Sequence, residues 1–318
     1  MTKAAVIINP RSGRGRGKGL ALAEKLRGHS ALDLTLLERF EQLYPALQRV
    51  AATGAERLFI SSGDGTVHAI QTWLAENLPA AKLPQLCLLP HGTTNLTAAD
   101  LGFKNRNIAA QAEFIAAGTP TQINPRHTVH AVNPKSGAPL HGMFFGTGAI
   151  PEATLYAQRA FNDKGVGGDW ATFATLAKAT SKALFSKPDP TDINRFDHPH
   201  QIELVINDRI ICSGTQLLMI ATTLNKLILN SKPFWGGATG PLRTTTIPYP
   251  LPNPVRWLIP SLFGSENRNA PPGATSTACQ ACLLRSDTGF VMDGEFYDAP
   301  EDEPLRLEAG PLFHYLIA

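Results

Sequence analysis

The stretch "FISSGDGTVHAI", residues 59–70, decides the fold of this chain. An apolar run ends at two serines, turns through Gly63, Asp64 and Gly65, and continues with apolar residues at helical spacing. A strand that leads through a glycine-bearing turn into a helix is the repeating unit of a parallel α/β sheet. The turn also places a single carboxylate between two glycines at the point where the helix begins.

The same alternation of strand, turn and helix recurs on both sides of this stretch. Two further turns are short, polar and glycine-bearing: "NPRSG" at 9–13 and "PHGTTN" at 90–95. In a parallel sheet all such turns lie at the carboxyl edge of the strands, where ligands bind. The pattern therefore predicts an α/β fold with a doubly wound parallel sheet in an N-terminal domain over residues 1–122.

The pattern of predicted secondary structure changes after this domain. Short strand-like segments joined by Gly, Pro and Asn turns predict a β-rich second domain over residues 123–307, a β-sandwich. One helix is predicted within it, at about 168–186, and the Pro-rich segment 233–264 is predicted to be an exposed loop surface. We expect the tail from about 308 to 318 to pack back on the first domain.

The composition narrows the class of protein. A chain of 318 residues with 43% apolar content and a net charge of +3 fits a soluble two-domain protein and argues against nucleic-acid binding. No apolar run approaches the ~18 residues of a spanning helix, and the N-terminus lacks the layout of a signal peptide. Four cysteines suggest a reducing cytoplasm, and "CQAC" at 279–282 is interpreted as a small-residue strand segment.

The glycine-bearing turns suit phosphate binding. A helix N-terminus carries unpaired N–H groups and partial positive charge, and glycine lets a phosphate approach the backbone. Beside phosphates, the carboxylate of Asp64 could bind Mg²⁺ or act as a general base, and without them it could simply cap a helix. The sequence matches neither the P-loop nor the dinucleotide-binding fingerprint.

Four motifs in order resemble the catalytic family of diacylglycerol kinases, which includes bacterial lipid kinases, sphingosine kinases and ceramide kinases. The motifs are "NPRSG" at 9–13, "SGDGT" at 62–66, "LPHGTTN" at 89–95 and "MDGEF" at 292–296. The resemblance implies a nucleotide-binding first domain, a β-sandwich second domain, and ATP with Mg²⁺ in a cleft between them. It also implies transfer of the γ-phosphate to the primary hydroxyl of a neutral lipid.

The resemblance also implies the residues of the site. The expected nucleotide contacts come from the three loops of the first domain: Asn9, Ser12, Gly13, Gly63, Gly65, Thr66, Gly92, Thr93 and Asn95. The expected catalytic carboxylates are Asp64, Asp293 and Glu295, of which Asp64 and Glu295 are also the expected Mg²⁺ ligands. Whether Asp64 or the pair of Asp293 and Glu295 is the general base stays open at this point.

The segment "FFGTGAIPEATLYAQRAF", residues 144–161, resembles the stretch that lines the lipid headgroup site in this family. Glu152 lies where the sphingosine and ceramide kinase branches carry an acid, although an acid in the first turn of a helix would look the same. Sphingosine kinases have a second acid two positions later, where this chain has Thr154. An uncharged headgroup, that of ceramide or diacylglycerol, is therefore expected.

A neutral lipid implies an enzyme that works at a membrane surface, and we expect a cytoplasmic protein that is peripherally associated with the inner membrane face. The side chains expected to be exposed for this purpose lie in segment 233–264: Trp235, Tyr249, Trp257, Leu258, Ile259 and Phe263. A homodimer is left open, and no nucleic-acid partner is expected.

Two alternative functions remain open at this stage. An NAD kinase-like enzyme shares the Gly-Asp-Gly turn, and a non-catalytic lipid-binding regulator could use the same scaffold. Four histidines are interpreted as solvated or capping groups because they lack the spacing of metal ligands: His68, His91, His198 and His200.

Overall fold

The computed structural model of the chain describes residues 4–13, 17–93, 95–117, 122–164, 198–236, 240–265 and 267–317. The chain divides into two compact units: one comprises Met1–Thr128 with Gly310–Ala318, and the other comprises Val129–Ala309. The helix expected at 168–186 lies outside the described residues.

The first unit is built on a parallel sheet. Its first four strands are β1 (Ala4–Ile8), β2 (Leu32–Leu36), β3 (Arg57–Ser62) and β4 (Gln85–Pro90). Strand β1 pairs in parallel with β2 and β3, and β3 pairs in parallel with β4, so the order is β2-β1-β3-β4. Strands β1, β3 and β4 are buried along nearly their whole lengths, as is usual for parallel strands covered on both faces.

Helices connect these strands, as the sequence predicts for a doubly wound sheet. They are α1 (Lys18–Leu26), α2 (Leu43–Thr53), α3 (Asp64–Asn77), α4 (Leu96–Leu101) and α5 (Ile108–Ala117), with 3₁₀ turns at Phe40–Gln42 and Ala80–Lys82. Helix α2 ends at Gly54, whose φ of 62° places it in the left-handed region that glycine adopts without steric cost. Helix α5 is an element that the sequence analysis did not predict.

The C-terminus completes this sheet. Strand β15 (Leu305–Ile317) ends in the first unit, where Tyr315 pairs in parallel with Leu86 of β4. Tyr315 is completely buried, and its hydroxyl accepts a hydrogen bond of 2.7 Å from Nε2 of Gln71. The buried phenol therefore keeps a partner for its one polar atom, as a buried tyrosine requires.

The second unit is an antiparallel β domain. Its strands include β5 (Gln122–Ala131), which begins in the first unit, and then β6 (Leu140–Gly142), β7 (Phe144–Gly148), β8 (His200–Ile206), β9 (Arg209–Thr222), β10 (Leu242–Pro248), β11 (Thr275–Cys279), β12 (Ala281–Ser286), β13 (Phe290–Met292) and β14 (Glu295–Tyr297). Helices α6 (Ala149–Lys164) and α7 (Pro254–Leu262) and a 3₁₀ turn at Ile228–Asn230 interrupt them.

The strand order in this unit is β14-β13-β7-β9-β8-β12-β15, with β10 pairing with β9 and β11, and β5 with β6. One face of the sheet packs into a core that includes Phe145, Met219, Leu284, Phe290 and Leu307. The predicted fold class, an α/β chain with a parallel-sheet domain followed by a β-sheet domain, is confirmed.

Three predictions for the second unit are wrong in detail. Besides the helix expected at 168–186, the described part of the unit contains α6 and α7. The segment 233–264 is not all loop, because it contains β10 and α7, where Pro254 occupies a position at the start of a helix that tolerates proline. The "CQAC" motif is not one strand segment, since Cys279 ends β11 and Cys282 lies in β12, and the chain bends at Gln280 between them.

Candidate functional site

The loops that follow β1 and β3 are tied together in the first unit. Nδ2 of Asn9 donates a hydrogen bond of 3.0 Å to Oγ1 of Thr66, and the backbone N–H of Gly63 donates one of 3.1 Å to Oγ of Ser12. Asn9 also donates its backbone N–H to the carbonyl of Ser61 at 2.9 Å. Four of the nucleotide-binding residues expected from the sequence therefore contact one another directly.

The loop after β4 packs on the other two through backbone atoms. A Cβ placed on Gly92 would lie 2.3 Å from Cα of Gly63, and one on Gly13 would lie 2.3 Å from the carbonyl oxygen of His91. No real Cβ tolerates such distances, so only glycine allows these loops to approach. Gly13 also has a φ of +71°, which other residues rarely adopt.

Asn95 closes the third loop into a compact ring. Its Oδ1 accepts a hydrogen bond of 2.7 Å from the N–H of Gly92, and its Nδ2 donates one of 2.7 Å to the carbonyl of Gly92. Asn95 has a φ of 53° and precedes the first residue of α4, and Thr93 lies half-buried in this loop. The asparagine in "GTTN" thus fixes the loop conformation.

Asp64 caps a helix other than its own. Its Oδ2 accepts a hydrogen bond of 2.9 Å from the N–H of Leu96, and its Oδ1 accepts one of 3.2 Å from the N–H of Thr97, at the start of α4. Burial raises the pKa of the Asp64 carboxyl, and the backbone N–H groups at the start of α4 oppose that rise. A carboxyl with a raised pKa is a stronger proton acceptor than an ordinary aspartate.

The N-terminus of α3 fits a phosphate group. Helix α3 is 14 residues long, and Gly63 at its N-cap supplies no side-chain hydrogen bond. The first N–H groups of a helix have no partner within the helix and carry partial positive charge, so they favour an anion. The side chain of Asp64 begins this helix and keeps a lone pair on each oxygen beyond the two that cap α4, which suits a cation beside the phosphates.

His91 is part of the same loop cluster and stays uncharged. It is buried, and its Nδ1 lies 2.8 Å from Oγ of Ser61. Burial, helped by the positive charge of Lys18, lowers the pKa of His91 to about 4. The predicted alternatives for this histidine are a solvated group and a capping group, and the first is wrong for His91, His68 and His200, because all three are buried.

Asp293 and Glu295 lie in one hairpin of the second unit but in different surroundings. Asp293 and Gly294 form the two-residue loop between β13 and β14, with φ values of 49° and 94°, as Asp-Gly favours in tight hairpins. The Asp293 carboxylate is buried and accepts hydrogen bonds of 2.9–3.1 Å from the N–H groups of Met143 and Phe144. Glu295 is exposed.

Glu152 lies in the first turn of α6, where it is paired with a histidine. Its Oε2 is 2.9 Å from Nδ1 of His198. Nearby, Nδ1 of the buried His200 lies 3.7 Å from Oδ1 of Asp287. Burial lowers the pKa of His200, and the negative charges of Glu152 and Asp287 oppose that change.

The structure thus gathers the sequence-predicted residues into two groups. The first unit holds the loop residues with Asp64, and the second unit holds the hairpin of Asp293 and Glu295 and, separately, Glu152. Two features of the site were not predicted: His91 belongs to the loop cluster, and Asp64 caps α4. The only sequence signal for the former is that His91 stands between two motif positions, Pro90 and Gly92.

Comparisons with known proteins show what the chain is similar to. Residues 3–126 match the family model of the diacylglycerol kinase catalytic domain. A crystal structure described as a diacylglycerol kinase from Bacillus anthracis strain Sterne is 17% identical and has a TM-score of 0.66, over 99% of this chain and 96% of that one. A second structure from the same strain is 17% identical with a TM-score of 0.67, again over 99% and 96%.

An NAD kinase from Archaeoglobus fulgidus, solved in complex with ATP, is 10% identical over 98% of this chain and 93% of that one, with a TM-score of 0.47. At these identities the structural similarity is one of fold. No curated protein matches the sequence at a significant level. Within the described ranges, no helix combines the length and the apolar character that crossing a membrane needs.

Proposed function

We propose that this protein is a kinase that uses ATP and Mg²⁺ to phosphorylate the primary hydroxyl of a neutral membrane lipid, because residues 3–126 match the family model of the diacylglycerol kinase catalytic domain. Diacylglycerol and ceramide are the favoured substrates. The observation that carries the proposal is the loop cluster at the carboxyl edge of the parallel sheet, where three loops meet at the uncapped N-terminus of α3.

The residues of this cluster have separate tasks in the proposal. The N–H groups of the first turn of α3 bind phosphate oxygens of ATP, while Asn9, Ser12 and Asn95 hold the loops in place. Glu295 is the proposed ligand of Mg²⁺, which when bound would neutralise charge on the transferred phosphoryl group, and Asp64 is the alternative ligand if it does not act as the base. Position and charge, rather than covalent chemistry by the protein, then supply most of the catalysis.

A carboxylate accepts the proton of the lipid hydroxyl, because an alcohol is a weak nucleophile until it loses its proton. We assign this task to Asp64, whose pKa is raised by burial. Asp293 likewise accepts hydrogen bonds from two backbone N–H groups, those of Met143 and Phe144. Asp293 and Glu295 are the alternative if Asp64 serves only as a cap.

The pairing of Glu152 supports an uncharged headgroup. A sphingoid base carries an ammonium group, which would need an anionic partner. The carboxylate of Glu152 is already paired with His198 at 2.9 Å, and position 154 is a threonine. A neutral diol or amide headgroup needs no such charge and can be bound by hydrogen bonds alone.

A lipid panel tests the proposal. The purified protein is incubated with γ-labelled ATP, Mg²⁺ and mixed micelles that contain diacylglycerol, ceramide or sphingosine, and the extracted lipids are separated by thin-layer chromatography. We expect a labelled product with diacylglycerol or ceramide and at least tenfold less with sphingosine. Label in none of the lipids, or label only in a parallel reaction with NAD, would contradict the proposal.

The proposal includes docking on an anionic membrane through α7. Val255, Ile259 and Leu262 lie at positions i, i+4 and i+7 of this helix and are 71%, 62% and 41% exposed. This spacing puts them on one helical face, as in helices that lie in a membrane interface. Two exposed cationic side chains can attract acidic headgroups: Arg256 lies in α7 itself, and Lys232 lies beside its end, where the Lys232 N–H donates to the carbonyl of Leu262 at 2.8 Å.

This surface differs from the one that the sequence suggested. Of the side chains expected to be exposed, Trp235, Tyr249, Trp257 and Phe263 are half-buried, whereas Ile259 is exposed; the side chain of Leu258 lies outside the described residues. Arg256 stacks on Trp257 at 5.3 Å, and this contact covers part of the indole.

Serine at all three positions, Val255→Ser, Ile259→Ser and Leu262→Ser, should weaken membrane binding at least tenfold. Each buried aliphatic side chain contributes about 1.5 kcal/mol or more, and about 1.4 kcal/mol is a factor of ten. Sedimentation with phosphatidylcholine vesicles containing phosphatidylserine measures the effect. Leu20→Ser combined with Ile210→Ser removes other exposed apolar side chains and is the control. Equal binding by both variants would exclude α7 as the docking surface.

A further inference from the structure

Two histidines face each other across neighbouring strands of the second unit. His130 of β5 and His141 of β6 are direct partners in the antiparallel register. Their imidazole rings are stacked, with centroids 4.1 Å apart and planes 15° apart, and a ring nitrogen of one lies within 4.8 Å of a ring nitrogen of the other. Side chains opposite each other in a sheet share one face. The two parallel ring planes do not meet at a common point, so one ion would be bound after the His141 ring turns about its χ1 and χ2 bonds, while His130 keeps its contact with Glu308.

The two nitrogens of His130 have different surroundings. Nδ1 lies 3.2 Å from Oε1 of Glu308, so it carries the proton and donates to the carboxylate. Nε2 is shielded from solvent and has no hydrogen-bond partner among the described residues. A buried acceptor without a donor costs roughly 1–3 kcal/mol, so its presence calls for an explanation.

We propose that His130 and His141 form a binding site for a divalent transition metal ion, Zn²⁺ or a close relative, with Glu308 orienting His130. The neutral imidazole nitrogen is a common ligand of such ions, and a ligating histidine typically donates its other N–H to a carboxylate. His130 already shows this second contact. The lone pair at Nε2 that has no donor is the atom that would bind the metal.

The chemistry selects the class of ion. Nitrogen ligands suit Zn²⁺, Cu²⁺ and Ni²⁺, whereas Mg²⁺ and Ca²⁺ prefer oxygen. The site is therefore distinct from the Mg²⁺ that the proposed phosphoryl transfer needs. Glu308 also accepts hydrogen bonds from Arg306 at 2.8 Å, which fix its carboxylate in place for His130.

The test uses the full chain stripped of metal with EDTA. Titration with Zn²⁺ by calorimetry should show one site per chain, and Zn²⁺ should raise the melting temperature because it binds the folded state. In a second measurement on the wild-type chain, Co²⁺ is added in place of Zn²⁺. Its visible absorption intensifies when imidazole replaces water as a ligand, and this change reports nitrogen ligation.

His130→Asn and His141→Asn should each weaken Zn²⁺ binding at least tenfold, and Glu308→Gln should weaken it about 10- to 100-fold. The matched controls are His29→Asn and His314→Asn, which remove exposed histidines and should leave the affinity unchanged. The proposal fails if the wild-type chain binds no stoichiometric Zn²⁺, or if the control substitutions weaken binding as much as those at the stacked pair. Cobalt absorption on the wild type decides the matter even if a variant does not fold.

Discussion

Asp64→Asn is expected to lower kcat by about 10²- to 10⁴-fold, which is the usual contribution of a general base. The amide cannot accept the proton of the lipid hydroxyl. Burial raises the pKa of Asp64 above its ordinary value of 3.8. Since a base must be ionised to act, the rate of the wild-type enzyme should fall with decreasing pH through that raised pKa. The variant should lose this acid limb, and the measurement is kcat as a function of pH in the mixed-micelle assay.

A control separates this effect from the capping of α4. The asparagine keeps one acceptor oxygen for the N–H groups of Leu96 and Thr97, so a loss of about 1 kcal/mol in the free energy of unfolding is expected. Asn107→Ala removes the cap of α5 in the same unit, where Oδ1 of Asn107 accepts from the N–H groups of Ala109 and Ala110. It should cost a similar stability with kcat unchanged.

The outcome decides between the two candidate bases. A kcat of the folded Asp64→Asn variant equal to that of the wild type would make Asp64 a cap only. The assignment of the base would then pass to Asp293 and Glu295. Under that result Glu295→Gln, a change at an exposed side chain that leaves the hairpin intact, should carry the loss of activity instead.

Gly13→Ala is expected to lower the free energy of unfolding by about 3 kcal/mol and to raise the KM for ATP at least tenfold. The new Cβ would stand 2.3 Å from the carbonyl oxygen of His91, and φ at Gly13 is +71°. The left-handed conformation costs a non-glycine residue about 1–2 kcal/mol, and overpacking against backbone adds about 1–3. Urea unfolding and ATP titration of the kinase reaction measure the two effects.

Gly54→Ala is the matched control for this substitution. Gly54 has a similar φ of +62°, but a Cβ there would meet nothing within 4 Å. It should therefore show only the conformational cost of about 1–2 kcal/mol and an unchanged KM for ATP. Equal effects of the two substitutions would mean that the close approach of the loops after β1 and β4 has no role in binding ATP.

Much of the fold could be predicted because the signals are local. The buried runs of β1, β3 and β4 and the helical spacing after Gly65 are visible in short windows of sequence. The second unit was predicted less well, because α7 contains two prolines and three exposed aliphatic residues, a composition that resembles a loop. Proline at the start of a helix and proline in a loop give the same sequence signal.

The candidate site was predicted in its membership but not in its contacts. The glycine turns mark where backbone must approach backbone or phosphate, and the structure brings these turns together in the first unit. The stacked pair of His130 and His141 could not be predicted, because the sequences of β5 and β6 do not show which residues of the two strands lie opposite each other. Strand register is a property of the assembled sheet.

The sequence by itself determined the class of fold, the position of the loops and the identity of the residues that line them, because helical and strand periodicity and the demand for glycine act over a few neighbouring residues. Only the tertiary structure decided what the carboxylates do. Asp64 caps a helix that begins 32 residues later, and Asp293 holds backbone 150 residues earlier in the chain. Tertiary packing determines such partners, because it brings together groups that are distant in the chain. No local sequence pattern indicates which groups will meet.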